Sequence, residues 1–257
     1  MSIFSRRNGG QCIAAFSGVL VAALLHGCAS SPVNAPRHAD STPSETAATA
    51  NLQLGIAYLQ QGQLALAKDK LQKALAQNAR DPIAHSAMGM LSERLGELRE
   101  ADRYYMQALR LAPKSPDVLN NYAVFLCRTG RSEEGVGRFM EVANNRLYAT
   151  PEMAYNNAGV CLRQAKLLDR AEASFSRALL LRPNFAEAAL QLGGLQLERV
   201  KLAEARATVD RFMNTFPATA DLLQLAIRVA QAQGDRAAEE RFTRRLRVEF
   251  LSGAAGQ

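Results

Sequence analysis

The feature that most limits what this chain can fold into is a 34-residue period. Gly55 and Gly89 stand 34 residues apart, as do Ala67 and Ala101, Ala74 and Ala108, and the series Gly62, Gly96 and Gly130. A unit of that size cannot bury its apolar face alone, so successive units must stack, each touching only its neighbours. The chain therefore grows along one axis and needs no single large core.

Counting each unit from 1 to 34, beginning at residue 48, small residues recur at position 8 (Gly55, Gly89, Ala123, Gly159, Gly193) and at position 20 (Ala67, Ala101, Gly135, Ala171, Ala205). Large apolar residues hold position 24, from Leu71 through Tyr105, Phe139 and Phe175 to Val209. The small positions belong where two antiparallel helices approach closely, and the large ones fill the seam. This pattern resembles the tetratricopeptide repeat and implies an all-α, right-handed superhelix of six helix pairs. The units are 48–81, 82–115, 116–149, 152–185, 186–219 and 220–253, with 254–257 left as a loose end. Gly at position 15, as Gly62, Gly96 and Gly130, supplies the left-handed residue that ends the first helix of a unit. Asp81-Pro82, Ser115-Pro116 and Thr150-Pro151 read as helix entries, a capping side chain followed by a proline at N1. The fourth unit starts two residues late, which predicts an enlarged loop over 143–151. The sixth is degenerate, with Glu239 where a small residue is expected.

Residues 1–27 read as a cleaved lipoprotein signal peptide: Arg6 and Arg7 with no acidic residue, then an apolar run too short to span a bilayer comfortably. The run ends in Leu25-His26-Gly27-Cys28, which resembles a bacterial lipobox and makes Cys28 the expected site of covalent lipid. Ala29, where an inner-membrane lipoprotein would carry Asp, points to the outer membrane. Residues 28–47, the lipidated cysteine and the Ala-, Ser-, Thr- and Pro-rich stretch after it, read as a flexible tether reaching at most roughly 60 Å.

The 31 Lys and Arg against 24 Asp and Glu give a net charge of +7, which falls to +5 once Arg6 and Arg7 are removed. The basic residues alternate with Glu along helical segments such as 94–103, the pattern of a solvated face, and no nucleic-acid-binding motif accompanies them. After processing only His38 and His85 remain, so no nucleophile, base and orienter can be assembled, and no metal site, cofactor or small-molecule substrate is expected. Cys127 and Cys161 are the only thiols left in an oxidising compartment. Lying on the first helices of neighbouring units, they either pair or remain two buried thiols.

Positions 2, 5, 9 and 12 of each first helix are expected to line a concave groove. In units one and two this places Leu52, Ile56, Leu59, Ile83 and Met90 in an apolar stripe, which either takes a partner segment or packs against the tether. In units three and four the lining turns to Asn120, Asn121, Asn156 and Asn157, whose amides can pair with both N–H and C=O of an extended peptide.

Two segments carry a closer resemblance: Asn120-Asn121-Tyr122-Ala123-Val124-Phe125-Leu126-Cys127, and Leu147-Tyr148-Ala149-Thr150-Pro151 running on to Asn157-Ala158-Gly159-Val160-Cys161. With Gly130 and Phe139 at their spacings, they resemble the type IV pilus biogenesis and stability lipoproteins, the PilF/PilW family. The resemblance implies an outer-membrane pilotin facing the periplasm, with lipidated Cys28 as transport handle and the groove as the surface that binds the pilus secretin. The family usually has Gly at Ala123, Ala at Gly135 and Pro at Arg146. A glycine inside a helix costs about 1 kcal/mol relative to Ala, so Gly135 reads as a local loss of stability. The rival reading is an envelope adaptor that docks cell-wall hydrolases or proteases.

Overall fold

A computed structural model describes residues 43–251. The signal segment, Cys28, the tether up to residue 42 and the C-terminal 252–257 lie outside the described residues. Within them the chain forms twelve α-helices and no strand, arranged as six antiparallel pairs. The pairs are α1 (Pro43–Gln60) with α2 (Leu64–Gln77), α3 (Pro82–Arg94) with α4 (Leu98–Leu111), and α5 (Pro116–Arg128) with α6 (Ser132–Ala143). They continue as α7 (Pro151–Gln164) with α8 (Leu168–Leu181), α9 (Ala186–Glu198) with α10 (Leu202–Thr215), and α11 (Ala220–Gln233) with α12 (Arg236–Leu246). A π-helical turn, Arg247–Leu251, ends the described chain.

The small residues do what their spacing predicts. A Cβ placed on Gly159 would lie 2.6 Å from the Phe175 ring, and one on Gly55 would lie 2.6 Å from Leu71 Cδ2. The large residue at position 24 thus fills the space that the glycine of its partner helix leaves open. Every first helix ends in a left-handed residue at position 15, including the two units that lack glycine there: Lys166 has φ 64° and Val200 has φ 58°.

Several expectations need correction. The helical array starts at Pro43, five residues inside the stretch read as tether, and Ala48 is already buried. Proline at the first helical position donates no N–H and suits that place, so the boundary was marked. Of the three capping side chains, Asp81 accepts from the N–H of Ile83 at 2.8 Å and of Ala84 at 3.2 Å, whereas Ser115 and Thr150 make no capping bond. In the sixth unit Ala238 and Phe242 are the buried residues of the second helix, one position before the repeat's usual places, so Glu239 never enters the crossing. The connection between α6 and α7 runs over 144–150 and leaves Leu147 93% exposed.

Candidate partner-binding surface

The apolar stripe lies at position 9 of the first helices. Ile56, Met90, Val124 and Val160 are each half-buried, their inner sides packed against the cores of units one and two or three and four. Ile83 is half-buried beside them. Leu52 and Leu59, expected on the same surface, belong to the core instead, at 9% and 2% exposure, grouped with Ala67, Leu71 and Ala74 of α2. The physical reason is angular: positions 5 and 12 lie on the side of the helix that meets its neighbours, and an apolar residue there is drawn inward.

One turn before the stripe, polar side chains join successive first helices. Asn121 Nδ2 donates to Ser86 Oγ at 3.1 Å, and Asn157 Nδ2 donates to Asn120 Oδ1 at 2.9 Å. In units three and four, position 6 thus pairs with position 5 of the unit before. Three of the four asparagines expected to grip a peptide are occupied in this ladder. The fourth, Asn156, is 6% exposed, and its Oδ1 is enclosed with no hydrogen-bond partner among the described residues. The next rung would fall on Gln191, whose amide instead donates to Glu187 at 2.7 Å and accepts from Arg163 at 3.2 Å.

One turn after the stripe, ion pairs take over. Arg128 meets Glu93 at 2.9 Å, and Arg163 meets Glu198 at 2.7 Å with the charges exchanged between units. The concave face is therefore an apolar line between an amide ladder and charged rungs. It has the chemistry to hold an apolar segment and to orient it by its polar edges.

A second inter-unit series escaped the sequence reading. Position 21 of one unit pairs with position 16 of the next: Asp102 with Arg131 at 3.0 Å, Glu172 with Lys201 at 2.9 Å, and Arg206 with Asp235 at 3.4 Å, the last with signs reversed. The signal was an opposite charge 29 residues on, which looks like an ordinary solvated face until the stacking is known. Burial pushes the Glu172 carboxyl up, but hydrogen bonds from Lys201 and Gln196 and the charges of Lys201 and Arg199 outweigh it and hold the group below its usual range. Burial, a hydrogen bond to Asp102 and the Asp102 charge raise the Tyr122 phenol, while Arg131 opposes them.

At the junction of units three and four the same two positions hold Val136 and Leu167, and no ion pair can form. There Cys127 and Cys161 are joined as a disulfide, with Cα atoms 5.4 Å apart. Beside it, Gly135 proves to be a requirement of the packing: a Cβ on Gly135 would lie 2.5 Å from Cys127 Sγ and 2.9 Å from the Ala123 carbonyl oxygen. Units with Gly at position 8 and Ala at position 20 place their one methyl on the second helix. Here it sits on the first, as Ala123, and position 20 is emptied for sulfur.

On the outer face, α8, α9 and α10 enclose a depression of about 460 Å³ walled by Leu179, Leu192, Phe212 and Phe216. Among the described residues no cluster of His, Cys, Asp or Glu could hold a metal ion, and no helix is long and apolar enough to cross a membrane.

Stacked helix pairs with an apolar line between polar ladders define an interaction module of the tetratricopeptide class. Tetratricopeptide-repeat family models match residues 84–115, 104–136 and 154–185. The type IV pilus assembly protein PilF of Pseudomonas aeruginosa is 33% identical over 217 residues, 84% of this chain and 86% of that protein. The solved PilF structure superposes with a TM-score of 0.64 at 30% identity, covering 80% of this chain and 93% of that one. The crystal structure of PilW, described as a widely conserved type IV pilus biogenesis factor, gives 0.65 at 25% identity over 79% and 93%. Yeast Tom70, at 15% identity and a TM-score of 0.60, shares the fold alone. The chain belongs to the PilF family of type IV pilus assembly proteins.

Proposed function

We propose that this protein acts in type IV pilus biogenesis as an outer-membrane pilotin. Lipid on Cys28 anchors it to the periplasmic side of the outer membrane, and the concave face binds the pilus secretin, promoting its localisation and assembly into a ring. The action is binding and delivery, with no covalent chemistry and no cofactor beyond the lipid itself. The observation that carries the reading is the 33% identity to PilF across most of both chains. The Leu25-His26-Gly27-Cys28 segment and the half-buried apolar line at Ile56, Met90, Val124 and Val160 support it.

The test is a deletion strain complemented with the wild-type gene or with Cys28→Ala, followed by membrane fractionation and detection of heat-stable secretin multimers. Multimers should disappear from the outer membrane in the deletion strain and should fall, or shift to the inner membrane, with Cys28→Ala. Wild-type multimers and surface pili in the deletion strain would overturn the proposal.

A further inference from the structure

Three positions of the first helix are sealed in every unit that has a unit before it. From unit two to unit six, position 3 is at most 1% exposed, position 10 at most 2%, and position 7 at most 6%. What seals them belongs to the preceding unit. Tyr122, at position 7, stacks on Tyr105 of α4 with ring centroids 5.9 Å apart. Ala154, at position 3, shares a cluster with Val142 of α6. Cys161, at position 10, is bonded to Cys127. These positions form the seam by which one unit docks on the last.

In α1 the same three positions are apolar and open. Ala50 is exposed, Leu54 is 46% exposed and Ala57 is half-buried. The second helix of the unit departs in the same sense: position 19 carries charge in units two to five, as Glu100, Glu134, Arg170 and Glu204, yet is Leu66 in unit one, 47% exposed. A terminal repeat that ends an array in water ordinarily turns a polar face outward. The far end obeys that rule along α12, whose outer side presents Arg236, Glu240 and Arg244, with the exposed Val248 and Phe250 only in the closing turn beyond it. The near end does not.

We infer that the open seam of α1 is a docking site for an amphipathic helix of a partner protein, seated as the second helix of a preceding unit would be. Continuity with the internal seams sets the occupant's chemistry. The helices that fill those seams offer a large apolar residue and a small one three positions on, as in Tyr105 with Ala108 or Phe175 with Ala178. The partner helix carries the same pair. A second copy of this chain cannot extend the array head to tail, because the charged outer side of α12 would meet Leu54. The sequence just before α1 cannot fill the seam either. Residues 29–42 hold Pro32 and Pro36, and Val33 is their one large aliphatic residue. The inference does not depend on the identity of the protein bound by the concave face.

The experiment places a photoreactive benzoylphenylalanine at Ala50 or at Leu54 of the full-length protein in the cells that make it, with Leu180, 69% exposed on α8, as control. Both seam positions should yield adducts to one stretch of one other protein, on residues three or four apart, and Leu180 should not reach that stretch. Ala57→Glu should cut the Leu54 adduct at least tenfold while the circular dichroism melting curve stays in place. Should Ala57→Glu unfold the protein, Ala50→Glu, on an exposed site, serves with the Leu54 probe. The inference falls if the adducts are only to a second copy of the chain, to lipid or to residues 29–42. It also falls if no adduct forms, if the partner residues lack helical spacing, or if the glutamate variants crosslink as the parent does.

Discussion

Gly135→Ala should destabilise this protein, against the ordinary rule for a glycine within a helix. Helix propensity alone favours Ala by about 1 kcal/mol. The added methyl, however, would lie 2.5 Å from Cys127 Sγ and 2.9 Å from the Ala123 carbonyl oxygen. Sulfur in a disulfide cannot swing aside, and the carbonyl belongs to the backbone of α5, so relief requires the two helices to separate. Overpacking of this kind costs typically 1–3 kcal/mol. The net loss should be about 1 kcal/mol, read as a lower urea midpoint at unchanged slope. The same substitution in a Cys127→Ala, Cys161→Ala background isolates the sulfur, because only the carbonyl contact remains. There the cost should shrink or change sign, and the difference between backgrounds is the coupling energy. A single variant at least as stable as the parent, or an equal cost in both backgrounds, would refute the reasoning.

Val200→Gly should stabilise the protein by about 1 kcal/mol, raising the melting temperature by a few degrees, because a β-branched residue at φ 58° is strained where glycine is at ease. An unchanged or lower melting temperature would show that the α9–α10 turn carries no such strain. Glu172 titrates below its ordinary value of 4.5 in the folded protein, so the stability it contributes is present above pH 4.5 and lost as the pH falls through the lowered value. Lys201→Met should therefore cost about 1 kcal/mol at pH 7 and less at pH 3, measured by urea denaturation at both. Ile56→Thr with Met90→Gln, chosen because both side chains are half-buried, should leave folding intact by circular dichroism and reduce secretin multimers; multimers at the parental level would clear this surface of the role.

The array was legible because its rule is steric and local. A small residue at positions 8 and 20 is needed wherever two helices cross closely, so the period survives in the bare sequence from Gly55 to Ala205. The even exchange of Ala and Gly between positions 123 and 135 was visible as well, but its cause was not, since nothing in the spacing says that sulfur occupies the emptied place. Leu52 and Leu59 show a different limit. Sequence periodicity identifies an apolar face, yet a first helix here has two, one toward its own unit and its neighbours and one toward the concave side, about a single residue step of 100° apart. A leucine satisfies either, and only packing decides. Charge is less legible still: Asp102 and Arg131, or Arg206 and Asp235, pair across 29 residues with either sign order, because the geometry requires opposite charges and is indifferent to which unit supplies which. The series forms at three of the five junctions, and the array persists where it does not. Where Val136 and Leu167 stand, this charge pair is absent, and the same two units are held by the Cys127–Cys161 disulfide together with an ion pair at other positions, Arg170 with Glu133.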